Sequence, residues 1–216
     1  MNFIFLYNKS KIRGDVHMRI GIDIDGVLTN FERWQIEYTT KFAYENNIGE
    51  IKNINGYNSD EIFGWSEEID DKFCEQYLIH YATNEKARAF SGEIIQKLKN
   101  EGNEIYIIIA RYLTDTDSEE GENMRNIVSN WLKENNINYD KLIFSGEDRR
   151  KVCKDNKIDI MIEDSPKNIK ELSKVLPNII CFDAKYNKEC NGENIIRCYS
   201  WYDIYYKIKC IKEQQK

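Results

Sequence analysis

The 216-residue sequence has no long hydrophobic run, no Cys-x-x-Cys pair and no stripe of basic residues. No apolar stretch approaches the roughly 20 residues that a membrane-spanning helix needs, so no association with a membrane is expected. The net charge of -6 argues against binding to a nucleic acid polymer, because nothing resembling a basic stripe is available to neutralise its phosphates. A small anionic substrate remains compatible with this charge if a metal ion and a few basic side chains surround it.

The six cysteines and two histidines do not have the spacing of a metal site, since His17 and His80 lie far apart. Six cysteines are compatible with disulfides in a secreted protein or with free thiols in the cytoplasm. The apolar cluster at residues 3–6 is too short for a signal peptide, and basic residues follow it instead of preceding it. We therefore expect reduced thiols and a cytoplasmic location.

Two aspartates follow a short apolar run near the start of the chain. Residues 19–24 contain β-branched residues at alternate positions, which predicts a buried strand, and Asp23 and Asp25 lead directly into Gly26. Two carboxylates at the open end of a buried strand repel each other and lose hydration, so they favour a cation or a proton between them. Mg²⁺, which prefers oxygen ligands, is the expected ion. A solvated Asp-Gly turn is the alternative interpretation.

The sequence Asp-Ile-Asp-Gly-Val-Leu at residues 23–28 resembles motif I of the haloacid dehalogenase (HAD) superfamily of phosphotransfer enzymes. In that superfamily the first aspartate takes up the phosphoryl group, and the second acts as general acid and base. The resemblance implies that Asp23 is the nucleophile and Asp25 the acid/base, and that both belong to the magnesium site. The longer pattern Asp-x-Asp-Gly-Val-Leu-x-x-Phe is similar to that of the 5′(3′)-deoxyribonucleotidases. There the aromatic residue packs against the nucleobase, which makes Phe31 a substrate-binding candidate, with core packing as the alternative.

The remainder of the chain alternates short apolar runs with amphipathic helical patterns. Further strands are expected at residues 105–110, 142–144, 158–162 and 178–182, with helices between them and a closing helix at 201–211. This order predicts an α/β fold with a Rossmann-like parallel sheet, covered by helices on both faces.

The pattern between the first two strands is helical and rich in aromatic residues. Residues 31–90 contain two helical patterns separated by a polar loop at 53–64, in the position where the superfamily inserts its C1 type of cap. We therefore predict an N-terminal extension at residues 1–17, a core domain formed by 18–30 and 91–216, and a small helical cap at 31–90.

Two further motifs of the superfamily have counterparts near the end of the predicted sheet. Glu163 and Asp164 follow the run at 158–162 and resemble the acidic motif IV, with Asp164 as the expected magnesium ligand. Capping of the next helix by Asp164 is the alternative. The superfamily also places a lysine before this motif. Lys151 is favoured over Lys154, because the start of its helix is expected to point towards the site.

One motif is incomplete. The second core strand of the superfamily ends in Thr or Ser, whose hydroxyl holds a phosphate oxygen, and this chain has Ile109 there. Losing one preorganised donor typically costs ~3 kcal/mol in the reaction barrier. Arg111 is a candidate to bind the phosphate through two hydrogen bonds instead, and Thr114 lies well past the strand end.

The resemblance implies a magnesium-dependent phosphatase that acts on a small-molecule phosphate ester through an aspartyl-phosphate. The deoxyribonucleotidase-like pattern makes a (deoxy)nucleoside monophosphate the expected substrate. The substitution at Ile109 leaves an alternative, in which the protein binds a nucleotide or sugar phosphate without efficient turnover.

Overall fold

A six-stranded parallel sheet forms the centre of the protein. The computed structural model describes residues 16–146 and 148–215. The strands are β1 (Arg19–Ile22), β2 (Glu104–Ile109), β3 (Lys141–Phe144), β4 (Ile160–Glu163), β5 (Asn178–Phe182) and β6 (Ile195–Cys198). Their order is β3-β2-β1-β4-β5-β6, and every neighbouring pair is parallel. The carboxyl end of β1 therefore lies between those of β2 and β4. The predicted α/β fold with a parallel sheet is confirmed.

Helices cover both faces of this sheet. They are α4 (Ser91–Asn100), α5 (Glu119–Glu134), α6 (Arg149–Asp155), α7 (Pro166–Leu172) and α8 (Trp201–Gln214). Alternate side chains of a strand point to opposite faces, so each strand contributes to two cores. Helices α4, α5 and α8 pack on one face, through residues such as Leu98, Val128 and Ile204. Helices α6 and α7 pack on the other face, through Cys153 and Ile169.

Three more helices lie between β1 and α4, within residues 31–90, which we call the helical insert. They are α1 (Phe31–Asn46), α2 (Ser59–Phe63) and α3 (Glu67–Asn84). They share an aromatic core formed by Trp34, Phe42, Phe63, Trp65, Phe73, Tyr77 and Tyr81. The prediction of a loop over residues 53–64 is wrong at its end. Helix α2 forms there and buries Ile62 and Phe63 in this core. The division of the chain into a core domain and a cap stays a prediction.

The two chain segments that connect the helical insert to the sheet lie side by side. Thr29 and Ala87 form an isolated antiparallel bridge. The Arg88 guanidinium donates hydrogen bonds to the carbonyl oxygens of Thr29 at 2.9 Å and Gly26 at 3.1 Å. Its centre lies 4.4 Å from the centre of the Phe182 ring. Arg88 thus links the segment that leads from the helical insert back to the sheet with the loop that follows β1.

Some boundaries differ from those that the sequence predicts. β6 was not predicted, because it is short and most of its side chains are only half-buried at the edge of the sheet. Of the predicted extension at 1–17, residues 1–15 lie outside the part that the structure describes. Among the described residues, no helix combines the length and apolar character required to cross a membrane.

Candidate active site

Three buried carboxylates meet at the carboxyl ends of β1 and β4. Asp23 directly follows β1, Glu163 is the last residue of β4, and Asp164 comes next. The two strands are paired, so their ends lie side by side. One oxygen atom of each carboxylate lies within 4.8 Å of the others, and the three residues are at most 4% exposed. We call these three residues the acidic cluster. It brings together Asp23 and Asp164, which the sequence analysis assigned to one magnesium site.

Gly26 allows the loop after β1 to pass directly over Asp164. Its φ of +83° lies in the left-handed region, which residues with a side chain rarely adopt. A Cβ atom at this position would lie 1.8 Å from Asp164 Oδ2. Both the backbone conformation and the lack of space therefore require glycine here.

Arg149 supplies the positive charge within the acidic cluster. It is the first residue of α6, and the Asp148 side chain caps that helix. Arg149 Nη2 forms an ion pair with Asp23 Oδ1 at 2.9 Å, and Nη1 one with Glu163 Oε2 at 2.5 Å. Arg149 is 7% exposed, so these interactions are only weakly screened by solvent.

The sequence analysis expected Lys151 in this role, and the structure places that residue elsewhere. The Lys151 side chain is 75% exposed and pairs with Asp155 one turn further along α6, at 2.6 Å. Lys151 lies two residues after Arg149, which corresponds to a rotation of about 200° around the helix axis. Lys154 is exposed as well. Arg149, and neither lysine, reaches the acidic cluster.

The carboxylate oxygens of Glu163 and Asp164 differ in how many hydrogen-bond partners the protein provides. Glu163 Oε1 accepts hydrogen bonds from the backbone N–H groups of Asp164 and Ser165, and Oε2 accepts one from Arg149. Asp164 Oδ2 accepts one from the Tyr186 hydroxyl, whereas Oδ1 is buried without a partner in the described part of the chain. A buried carboxylate oxygen without a partner is costly, and a cation would satisfy it. This set of oxygen atoms fits a hard divalent ion such as Mg²⁺.

Burial raises the pKa values of two residues of the acidic cluster, Asp23 and Asp164. The pKa of Asp23 rises from 3.8 to about 8, because burial outweighs the opposing effect of Arg149, while Glu163 and Asp25 add charge of the same sign. Burial and the charges of Glu163 and Asp23 also raise the pKa of Asp164 well above its usual value. Near neutral pH Asp23 therefore favours a bound proton or a neighbouring cation over a free carboxylate. A divalent ion would lower both pKa values.

The side chain of Asp25 lies apart from the acidic cluster and is held by two residues from other elements. Arg111 contacts both carboxylate oxygens, and its Nε lies 3.2 Å from Oδ2. The Tyr81 hydroxyl, near the end of α3, donates to Oδ1 at 2.9 Å. The structure thus orients Asp25 next to the cluster and does not bring its carboxylate among the candidate metal-binding oxygens.

The residues considered for phosphate binding after β2 make other contacts. Arg111 is bonded to Asp25, and Ile109 is fully buried among core residues. The Thr114 hydroxyl donates to the Arg111 carbonyl oxygen at 2.6 Å. Neither Ile109 nor Thr114 therefore offers a free hydroxyl to the acidic cluster.

Phe31 lies where the helical insert meets Asp25. Its ring centre is 5.5 Å from that of Tyr81 and 6.1 Å from that of Trp34, so the ring packs against the core of the insert. Phe31 is also half-exposed and lines a cavity of about 320 Å³ whose wall includes Asp25. The residue therefore combines core packing with access to a ligand.

Sequence reasoning missed several residues of this region, of which Tyr81 and Arg149 had a detectable signal. Tyr81 continues the four-residue spacing of Phe73 and Tyr77, and the structure buries it, whereas the previously considered His80 is exposed. Arg149 follows an aspartate in the position of a helix cap. No sequence pattern indicated Tyr186, which reaches Asp164 from the segment between β5 and β6.

Solved structures that match this fold include haloacid dehalogenase-like hydrolases. A haloacid dehalogenase-like family hydrolase from Streptococcus pneumoniae matches with a TM-score of 0.58 at 10% identity, covering 90% of this chain and 98% of that one. A β-phosphoglucomutase from Clostridium difficile matches with a TM-score of 0.54 at 13% identity, covering 93% and 98%. At such identities the likeness shows the fold alone, which is that of the HAD superfamily.

The sequence match is more specific. Residues 16–215 match the family described as 5′ nucleotidase, deoxy (pyrimidine), cytosolic type C protein, and the chain belongs to this family. A nucleotidase from Clostridium acetobutylicum is 28% identical over 189 residues, which is 87% of this chain and 92% of that protein. The membership that motif I predicted is confirmed, and the protein is a phosphoric monoester hydrolase of the HAD superfamily.

Proposed function

We propose that this protein is a magnesium-dependent phosphatase that hydrolyses a (deoxy)nucleoside monophosphate through an aspartyl-phosphate at Asp23. The observation that carries the proposal is the position of Asp23 beside the unpartnered Asp164 Oδ1, at the ends of adjacent strands. The family description and the relative from Clostridium acetobutylicum both name nucleotidases, which supports the choice of substrate.

Two displacements at phosphorus make up the proposed reaction. In the first, a carboxylate oxygen of Asp23 forms a bond to phosphorus while the bond to the ester oxygen breaks, and protonated Asp25 gives its proton to that leaving oxygen. In the second, a water molecule attacks the phosphorus, Asp25 takes a proton from it, and the bond to Asp23 breaks. Inorganic phosphate leaves, and both aspartates return to their starting forms.

Asp23 must be ionised to attack phosphorus, and positive charge beside it would favour that form. Asp23 and Asp164 would hold Mg²⁺, which supplies charge stabilisation to the transferring phosphoryl group when bound. Arg149 opposes the effect of burial on the pKa of Asp23, although burial outweighs it. It also takes the part that the sequence analysis gave to Lys151, in binding the negative charge that develops on the phosphoryl oxygens.

Phosphate binding was the predicted role of Arg111, but both Arg111 and Tyr81 bond to Asp25 instead. Their hydrogen bonds fix the orientation of the Asp25 carboxylate. Arg111 therefore acts on the acid/base, and its role as a direct phosphate ligand is not part of the proposal.

One observation favours the second candidate, a protein that binds a phosphate ester without efficient turnover. Ile109 provides no hydroxyl, and both Arg111 and Thr114 are engaged elsewhere. The transferring group would then lack one preorganised donor, with a cost of ~3 kcal/mol in the barrier. The two candidates differ in whether turnover occurs at all under saturating substrate and Mg²⁺.

The test is phosphate release by the purified protein from p-nitrophenyl phosphate and from nucleoside monophosphates, with Mg²⁺ or with a chelator. We expect release with Mg²⁺ only, and a loss of more than about a thousandfold in Asp23→Asn. Asp117→Asn, an exposed aspartate, is the matched control and is expected to retain activity. Equal activity of Asp23→Asn and the wild type would refute the proposal. Binding of nucleotides without any release would favour the second candidate.

A further inference from the structure

Tyr186 contacts Asp164, the expected metal ligand, from a segment of the chain that the proposed reaction does not use. It lies in a single turn of 3₁₀ helix, Lys185–Asn187, between β5 and β6. Its hydroxyl donates a hydrogen bond to Asp164 Oδ2, whereas Asp164 Oδ1 is buried without a hydrogen-bond partner among the described residues. The two oxygens of this carboxylate are therefore not equivalent. The protein already bonds to Oδ2, and Oδ1 is left for a cation.

The loop after β1 also lies closer to Asp164 Oδ2 than to Oδ1. A Cβ atom on Gly26 would lie 1.8 Å from Oδ2 and 2.9 Å from Oδ1, so the Gly26 backbone is next to Oδ2. A cation that binds both oxygens of a carboxylate must approach them together. The Tyr186 hydroxyl and the Gly26 backbone both stand at Oδ2, and this arrangement favours binding through Oδ1 alone.

Asn187 fixes the turn that carries Tyr186 to the backbone of Asp164. Its side-chain amide donates hydrogen bonds to the carbonyl oxygens of Asp164 and Phe182, both at 2.8 Å. Arg197, on β6, donates to Asn187 Oδ1 at 2.8 Å and to the Asn187 carbonyl oxygen at 2.8 Å. Asn187 is fully buried, so this network is protected from water. A hydroxyl on a turn held in this way can keep the Asp164 carboxylate in one orientation.

The helical insert holds the same turn from the other side. The ring of Tyr57, which precedes α2, packs edge-on against the ring of Tyr186, with 5.0 Å between the ring centres. Glu32, on α1, accepts a hydrogen bond from the backbone N–H of Lys185 at 2.9 Å. Tyr186 is thus packed between the helical insert and Asp164, which limits the directions in which its hydroxyl can point.

Mg²⁺ and Ca²⁺ use carboxylates in different ways. Mg²⁺ demands near-octahedral geometry, and the two oxygens of one carboxylate lie too close together to fill two positions of an octahedron. Ca²⁺ is larger, takes more ligands and accepts both oxygens of a carboxylate. Glu163 offers no free pair of oxygens either, because Oε1 accepts from two backbone N–H groups and Oε2 from Arg149. A site with single available oxygens suits the smaller ion.

We propose that Tyr186 is a positioning residue that restricts Asp164 to one metal-binding oxygen and thereby makes the site select Mg²⁺ over Ca²⁺. The inference rests on the proposed function and adds the residue that determines which ion the site takes. Tyr186 acts through Asp164 Oδ2 and needs no contact with the ion. Without its hydroxyl the carboxylate can turn and offer both oxygens, which improves the binding of Ca²⁺ more than that of Mg²⁺.

The experiment is a calorimetric titration of the metal-free, full-length protein with Mg²⁺ and, separately, with Ca²⁺, in the absence of substrate. The variant is Tyr186→Phe. Tyr202→Phe is the matched control, because the Tyr202 hydroxyl also donates to a carboxylate, that of Glu93, on the exposed surface. We expect the ratio of the Ca²⁺ Kd to the Mg²⁺ Kd to fall by about tenfold in Tyr186→Phe and to stay unchanged in the control. Thermal unfolding without metal checks that both variants fold.

A merely structural role of Tyr186 would weaken the binding of both ions equally and leave the ratio unchanged. An unchanged ratio in Tyr186→Phe, or the same fall in Tyr202→Phe, would overturn the inference. Hydrolysis of p-nitrophenyl phosphate that requires Mg²⁺ and Asp23 would still support the phosphatase in those cases. The expected fall of the ratio without any hydrolysis would support the role of Tyr186 and contradict the phosphatase. Failure of the wild type to bind either ion would contradict both the inference and the metal requirement of the proposed function.

Discussion

Arg149 links Asp23 to Glu163, and the planar shape of its guanidinium allows it to reach both carboxylates at once. Glu163 is in turn fixed by the backbone N–H groups of Asp164 and Ser165. We therefore propose that Glu163 positions Arg149, which would interact with a transferring phosphoryl group as well as with Asp23. A lysine at this position could not form the same pair of directed contacts.

Replacing Arg149 is expected to affect both stability and turnover. Arg149→Met leaves two buried carboxylates without their cation, which typically costs about 3–5 kcal/mol of unfolding free energy. We expect kcat to fall on the order of a hundredfold, measured by phosphate release with saturating Mg²⁺. Lys151→Met is the control, because its side chain lies in solvent. A larger loss of kcat in Lys151→Met than in Arg149→Met would show that the lysine carries the catalytic charge.

The raised pKa of Asp23 predicts how the stability of the metal-free protein depends on pH. Below the ordinary value of 3.8 the carboxyl group is protonated in both the folded and the unfolded state. Between 3.8 and about 8 the folded protein retains the proton and the unfolded chain loses it, so stability falls as pH rises. Thermal unfolding in a chelator is expected to show a falling Tm from pH 5 to pH 8.

Two comparisons test whether the acidic cluster causes this fall of Tm with pH. Mg²⁺ is expected to raise Tm most at the alkaline end, because the ion binds the ionised carboxylates. Asp23→Asn removes one of the two titrating groups of the cluster and is expected to make the metal-free slope shallower. The same slope in Asp23→Asn and the wild type would contradict the assignment.

At the scale of elements, the acid/base depends on a helix that lies outside the sheet. Tyr81 comes from α3, and it bonds both to Asp25 and to Thr29, on the segment that leads into the insert. Arg88, on the returning segment, bonds to the carbonyl oxygens of Gly26 and Thr29. Both chain segments that connect the helical insert to the sheet thus make contacts that fix the loop that carries Asp25.

Arg88→Met is expected to loosen this loop. The two carbonyl groups would lose a charged donor, with an expected cost of about 2–4 kcal/mol in unfolding free energy, measured by chemical denaturation. A misplaced Asp25 is expected to lower kcat more than it raises KM. Lys86→Met, an exposed change on the same segment, is the control. A pure KM effect in Arg88→Met would indicate that Arg88 contacts the substrate instead.

Hydrophobic periodicity predicted the elements well and the direction of single side chains less well. The spacing of apolar residues located β1 to β5 and the helices between them except α2, because each is buried on a defined face. It missed β6, whose side chains lie half-exposed at the edge of the sheet. The resemblance to the superfamily favoured Lys151 over Lys154, whereas Arg149 reaches the acidic cluster, because at the start of a helix one residue changes the direction of a side chain by about 100°.

At the scale of the whole molecule, the site depends on residues that are distant in sequence. Asp23 and Asp164 become neighbours because β1 and β4 pair in the middle of a parallel sheet. Motif I and the rule that ligands collect at carboxyl ends of strands were sufficient to predict this convergence. The contacts of Asp25 were not predictable in the same way. They depend on how the helical insert packs over the sheet, which no local pattern encodes.

The fold itself does not select the substrate. HAD-like structures that match this chain include a hydrolase and a β-phosphoglucomutase. We therefore expect specificity to come from side chains around the site, and the cavity beside Asp25 is lined mainly by residues of the helical insert.

The most direct test of the account is to locate the phosphoryl group during turnover. The wild-type protein is mixed with a nucleoside monophosphate and Mg²⁺, stopped in acid within the first turnover, and digested for peptide mapping by mass spectrometry. We expect a phosphorylated peptide that contains Asp23, with the modification on that residue. Continued phosphate release with no phosphorylated peptide, or with the phosphoryl group on a different residue, would contradict the account.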